Sequence, residues 1–193
     1  MLTVINIEQT PNPNAVKFIV NNPFVPEGSV TYTSAKEAGL DPLGSALFRI
    51  PGVESVFYMD DFVTLTKSED VPWDEIVEEA EAIIGSTAPV LEIVVPAAAD
   101  AGSAGPVADG VEFEAMTPKQ RLARINRVLD EEIRPALAGD GGGLQVLGLE
   151  GNQVRVHYQG ACGSCPTSTA GTLRFIEGRL QELLSGKLVL AAE

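Results

Sequence analysis

The stretch "LQVLGLEGNQVRVHYQGACGSCPTST", residues 144–169, decides how the second half of this chain folds. Two runs rich in Val, Leu and Tyr flank Gly151-Asn152, a pattern that predicts a β-hairpin. In the second run Val154, Val156 and Tyr158 share one face, and Arg155 and His157 the other. The chain's two cysteines, Cys162 and Cys165, follow directly. Pro166 then fits the first turn of a helix, where its missing N–H has no intrahelical partner anyway. That helix carries Leu173, Ile176, Leu180 and Leu183 on one face. "KLVLAA" (187–192) reads as a short returning strand.

Upstream, "TPKQ" (117–120) is a Thr-x-x-Gln capping box with Pro118 at the first helical position. Leu122, Ile125, Val128, Leu129, Ile133 and Leu137 make one apolar face of the helix it opens. Lys119, Arg121, Arg124 and Arg127 lie mostly off that stripe, as a solvated face. "AGDGGG" (138–143) ends the helix, because consecutive glycines permit positive φ. It is not a phosphate loop: Leu144 stands where Gly-Lys-Ser/Thr would be needed. The order helix, strand, strand, helix, strand predicts an α+β fold with helices on one face of a small sheet.

The first half reads in the same way. "AVKFIV" (15–20) and "SVTYT" (29–33) are β-rich runs bounded by Asn, Pro and Gly. "SAKE" (34–37) has the Ser-x-x-Glu form of a helix start; Pro42 interrupts it, and a second short helix is expected over 43–49. "IPGVESVFYMDDFVTLTK" (50–67) predicts a hairpin turning at Asp60-Asp61. "DVPWDEIVEEAEAIIGS" (70–86) predicts a helix with Pro72 at a first helical position and acidic early turns. Trp73, Ile76, Val77, Ala80, Ile83 and Ile84 recur at helical spacing, with Trp73 as a core anchor. Residues 96–110, "PAAADAGSAGPVADG", cannot bury enough apolar surface to offset chain ordering and read as a flexible tether spanning roughly 20 Å. The expected organisation is two small α/β-sandwich domains, 1–90 and 116–193, joined by a flexible Ala/Gly/Pro linker within 91–115.

Charge divides the same way. Residues 1–115 hold 4 Lys+Arg against 19 Asp+Glu; residues 116–193 hold 9 against 8. The net charge of −14 thus lies entirely in the first part. Such a surface repels a phosphate backbone and argues against nucleic acid as a partner there. No apolar run approaches a membrane span of about 18 residues. The N-terminus carries no Lys or Arg before Lys17 and has the form of neither a signal nor a transit peptide. A bacterial cytoplasmic location is expected, or the mitochondrial matrix if the chain is a processed form.

A Cys-x-x-Cys pair between a strand and a helix suits three chemistries: a dithiol, a zinc site or an iron–sulfur cluster. The helix N-terminus beside it favours thiolate. A thioredoxin-like dithiol oxidoreductase needs most of a sheet after the motif, and only 28 residues follow Cys165. Cluster iron and structural zinc take four ligands, commonly thiolates. One chain offers two, and His157, the single histidine, reads as an exposed strand residue. A two-fold dimer supplies two more cysteines at once. A site shared in this way couples cluster loss to dimer dissociation, which suits transfer better than storage.

From Arg134 to Leu180 the chain resembles the C-terminal domain of NifU, the Nfu-type iron–sulfur module. The resemblance rests on Arg134-Pro135, Asp140-Gly141-Gly142, the run Gly160-Ala161-Cys162-Gly163-Ser164-Cys165-Pro166, Ser168, Thr172-Leu173 and Ile176-Glu177. Residues 1–90 resemble the N-terminal domain of Nfu proteins at "PNPNAVKF" (11–18), "LFRIPGVESVF" (47–57), "DDFVTLTK" (60–67) and the Trp73 helix. The resemblance implies a non-enzymatic scaffold or carrier that binds a [4Fe–4S] cluster between two protomers through Cys162 and Cys165. It implies transfer to apo client proteins; recognition of clients or upstream cluster-assembly proteins is expected of the acidic N-terminal surface, and whether [2Fe–2S] is also carried stays open. Gly143 departs from the family pattern, in which an acidic or larger residue often follows Asp-Gly-Gly. The further cysteine-bearing domains of larger NifU proteins have no counterpart here, so assembly of clusters unaided is not expected. A zinc-bridged dimer and the dithiol oxidoreductase are the alternatives.

Overall fold

A computed structural model of the chain describes residues 2–23, 25–87, 112–163 and 168–192. The tether 96–110, Cys165 and Pro166 lie outside the described residues.

The N-terminal half is a five-stranded antiparallel sheet, with β1 (Val4–Gln9), β2 (Ala15–Val20), β3 (Val25–Tyr32), β4 (Val53–Asp60) and β5 (Phe62–Lys67) in the order β1-β2-β5-β4-β3. Helices α1 (Pro42–Leu47) and α2 (Trp73–Ser86) cover one face. Alternation places Val16, Phe18, Val56, Tyr58, Val63 and Leu65 in the core beneath them. The hairpin over 50–67 turns at Asp60-Asp61 as expected, with Asp60 at φ 49°, a left-handed position Asp tolerates.

Three local expectations are corrected. β1 is an additional strand: this edge strand exposes Ile5 and Ile7 and so lacks the clean inside-outside alternation that marks a strand in sequence. In "SAKE" the Glu37 carboxylate accepts from the N–H and hydroxyl of Thr33 (2.8 and 2.9 Å), one residue early, and only a single 3-10 turn, Glu37–Leu40, follows. Pro72 caps α2 from outside in an extended conformation (ψ 148°), and Trp73 is the first helical residue. Trp73 is half-buried at the core's rim and donates from Nε1 to the Pro13 carbonyl at 3.0 Å.

The C-terminal half has the predicted order. α3 (Pro118–Val128) starts with both bonds of the Thr117–Gln120 capping box. One π turn, Leu129–Ile133, then leads into α4 (Arg134–Gly139). Pro135 explains the break, since it lacks an N–H and its ring would press on the Glu131 carbonyl of a regular helix. The Arg134 N–H accordingly bonds Leu129, five residues back. β6 (Gly142–Glu150) and β7 (Gln153–Gly160) form the antiparallel hairpin. α5 (Ser168–Leu183) carries the chain back so that β8 (Val189–Ala192) pairs parallel to β7. Ile125, Leu129, Ile133, Val154, Val156, Ile176 and Leu180 fill the core. Leu183 stays 44% exposed; Leu184, four residues after Leu180, packs inward instead. Phe113, on a 3-10 turn at Phe113–Ala115, joins this core.

The two halves are docked. The outer face of the N-terminal sheet, away from α1 and α2, lies against the cysteine-bearing end of the C-terminal domain. Phe57 is fully buried there, worth about 2–3 kcal/mol relative to exposure. Asn12 Nδ2 donates to the Ala161 carbonyl at 3.1 Å, and Ser29 Oγ donates to Gln159 Oε1 at 2.8 Å. Lys17, nearly buried, donates from Nζ to the Ala138 carbonyl at 2.9 Å. This places a cation at the C-terminal end of α4, where the helix dipole favours it.

Candidate functional site

The site begins where β7 ends. Gly160 closes the strand at φ 60°, opposite Gly142 of β6. The Ala161 N–H donates to the Gly141 carbonyl at 3.2 Å, and the Gly163 N–H to the Gly160 carbonyl at 3.1 Å. The chain thus turns tightly around Cys162. A Cβ on Gly142 would stand 2.5 Å from Cys162 Sγ and 2.9 Å from the Gln159 carbonyl oxygen. Glycine at 142 therefore makes the niche that holds the sulfur. The glycine run predicted to end the helix has divided roles. Only Gly141 (φ 75°) serves that need, and Gly142 serves the thiol.

Cys162 is half-buried and packs against the C-terminal core. It lies in a small cleft with Leu137, Asp140 and Ala161 of its own domain, Thr172 from the first two turns of α5, and Pro11 and Asn12 of the N-terminal domain. Burial, and then the charge of a Cys162 thiolate, push the Tyr158 phenol up to about 12. Arg134, one of the residues that carried the resemblance, braces the niche from behind. It donates to Asn126 Oδ1 (2.9 Å) and to the Leu144 carbonyl (3.2 Å) and pairs with Asp130, tying the helices to β6.

Of the two cysteines, Cys162 is placed at the cleft; Cys165 lies outside the described residues. His157 sits half-buried opposite Gln145, on the face of β7 away from Tyr158 and the core. Among the described residues no group of three or more His, Cys, Asp or Glu stands together to hold a metal ion. A thiol is the soft donor that iron–sulfur clusters and zinc select. Cys162 in its glycine niche fits such a group as part of a donor set. Among the described residues no helix is long and apolar enough to cross a membrane.

Residues 5–88 match the family model described as scaffold protein Nfu/NifU N terminal, and residues 125–189 match the NifU-like domain. The chain is 34% identical over 188 residues to NifU-like protein 5, mitochondrial, of Arabidopsis thaliana, covering 94% of this chain and 64% of that protein. It is 34% identical over 182 residues to the NFU1 iron-sulfur cluster scaffold homolog, mitochondrial, of Homo sapiens, covering 92% and 66%. The chain thus spans about two thirds of the length of these relatives. The solution structure of a NifU-like protein from Saccharomyces cerevisiae aligns with 42% of this chain and 75% of its own, at 30% identity and a TM-score of 0.36.

Proposed function

Because the chain belongs to the Nfu/NifU scaffold family, with that family's N-terminal domain followed by a NifU-like domain, we propose that it is an iron–sulfur cluster carrier and not an enzyme. In this reading it holds a [4Fe–4S] cluster between two copies of itself and passes it to apoproteins. The observation that carries the reading is a half-buried thiol, Cys162, held at the end of β7 in a niche that only glycine at 142 leaves open, within the stretch that matches the NifU-like domain.

Cys162 and Cys165 are the proposed ligands, two from each copy. Four thiolates then complete the coordination that cluster iron takes. The domain 116–193 carries the cargo, and the acidic domain 1–90 recognises client apoproteins or upstream assembly proteins. [2Fe–2S] is a second cargo the same thiolates accommodate. The relatives named above are mitochondrial proteins, which supports the matrix as a location for a processed form; a bacterial cytoplasmic location rests on the sequence alone.

Anaerobic reconstitution with iron and sulfide, read by visible absorption and metal content, tests this. Iron and sulfide bound with charge-transfer absorption, and lost on Cys162→Ser, is the expected result. A colourless protein holding zinc, or a metal-free monomer cycling between dithiol and disulfide, would replace the reading with one of its rivals.

A further inference from the structure

The outer face of the N-terminal sheet meets the cysteine end through groups that belong to both domains. Asn12 is 3% exposed; it grips the carbonyl of the residue just before Cys162 and, with Pro11, forms one wall of the cysteine cleft. Phe57 fills room that two glycines leave. A Cβ at Gly143 would stand 3.0 Å from Phe57 Cζ, and one at Gly160 2.7 Å from Phe57 Cδ1. Gly143 is not in the left-handed region, so no turn requires glycine there. The glycine is explained by what packs on it. The polar contacts of this face, from Asn12, Lys17 and Ser29, exchange with water at small net cost, so the docking can open.

We propose that the N-terminal domain is a cap that closes on the cysteine end of the same chain and lifts before a second copy can share a cluster there. The proposal rests on the carrier reading for what the cap controls. The space at the mouth of the Cys162 cleft is the space into which a second copy would bring its own cysteines. In the closed form the Pro11–Asn12 segment stands in that wall. Docking and cluster sharing therefore compete, and the apo chain keeps its thiol shielded until loading or a partner pulls the domains apart.

The first arm of the test needs no metal, so it stands apart from the carrier reading. Full-length apo protein, Gly143→Glu, Phe57→Ala and the double variant are treated with iodoacetamide, and modification of Cys162 is followed by peptide mass. Solution scattering reports the separation of the domains. Each single variant should raise the radius of gyration and speed alkylation about tenfold, and the double variant should add little, since both changes break one contact. Alkylation at the wild-type rate in all three variants would overturn the cap. A second arm compares hydroxyl-radical oxidation of the Phe57 side chain, buried only in the docked form, in apo and cluster-loaded wild type. Lost protection on loading supports the competition, and unchanged protection in a cluster-bridged dimer overturns it.

Discussion

Cys162 Sγ occupies the position that a side chain on Gly142 would need: a Cβ there would lie 2.5 Å from the sulfur. The two residues are twenty apart in the chain and meet because β6 and β7 pair Gly142 with Gly160. Gly142→Ala should therefore displace the cysteine loop. The expected cost is about 1–3 kcal/mol, as for other overpacked sites. Retained iron after reconstitution should fall well below wild type, and denaturant unfolding with metal analysis checks both.

Cys162→Ser keeps the volume and removes the soft donor. Its unfolding free energy should stay within about 1 kcal/mol of wild type, because the thiol is only half-buried and packs at the edge of the core. Bound iron should be lost. A variant that keeps its full complement would remove Cys162 from the ligand set.

On the face of the N-terminal sheet away from the cysteine end, Asp41 serves several partners. Its carboxylate accepts from the Leu43 N–H at 3.0 Å, capping α1, and from the Tyr58 hydroxyl at 2.7 Å, all out of solvent. Asp41→Ala should cost about 2–3 kcal/mol, from a lost cap and a buried hydroxyl deprived of this acceptor. Cluster retention should be unaffected, since α1 packs on the sheet face opposite the cysteine end. Unfolding and reconstitution of the same variant separate the two effects.

All three tyrosines resist ionisation. Burial, then the charge of and hydrogen bond to Asp41, push Tyr32 up to about 12. Tyr58 is raised further by the same causes, and Tyr158 to about 12 by burial and then Cys162. Each raised value means that the folded chain keeps a proton the unfolded chain releases near pH 10. The contribution of Tyr32 and Tyr158 is thus fully present below about pH 10 and is lost as pH rises through about 12, while that of Tyr58 persists to higher pH. Tyrosinate absorbance should lag behind that of the unfolded chain, and stability should fall across this window. A titration centred at pH 10 with the fold intact would contradict the assignment.

How much could be read beforehand varied with how local its cause is. The hairpin around Gly151-Asn152 and the Thr117 capping box are local patterns and are present as read; the α5 stripe is present too, with Leu184 in the place expected for Leu183. The break at Pro135 was legible in principle: a proline inside a helical stripe signals one, but the stripe's continuity through Leu137 concealed it. Gly142 and Gly143 could not be assigned from sequence, because what fills the space above them comes from Cys162 and from Phe57, far away in the chain. The docking itself left a trace. "AVKFIV" and "FVTLTK" are almost continuously buried, including Lys17, Thr64 and Thr66, where a sheet covered on one face would alternate. Those polar residues on the outer face read as solvent-facing until the second domain is placed over them.

The measurement closest to the central claim is native mass together with iron content on the anaerobically reconstituted full chain. Four iron atoms per two chains, with the mass of a pair that falls to the 20.4 kDa single chain as the cluster is removed, is the expected result. A complete cluster carried by a single 20.4 kDa chain would contradict it.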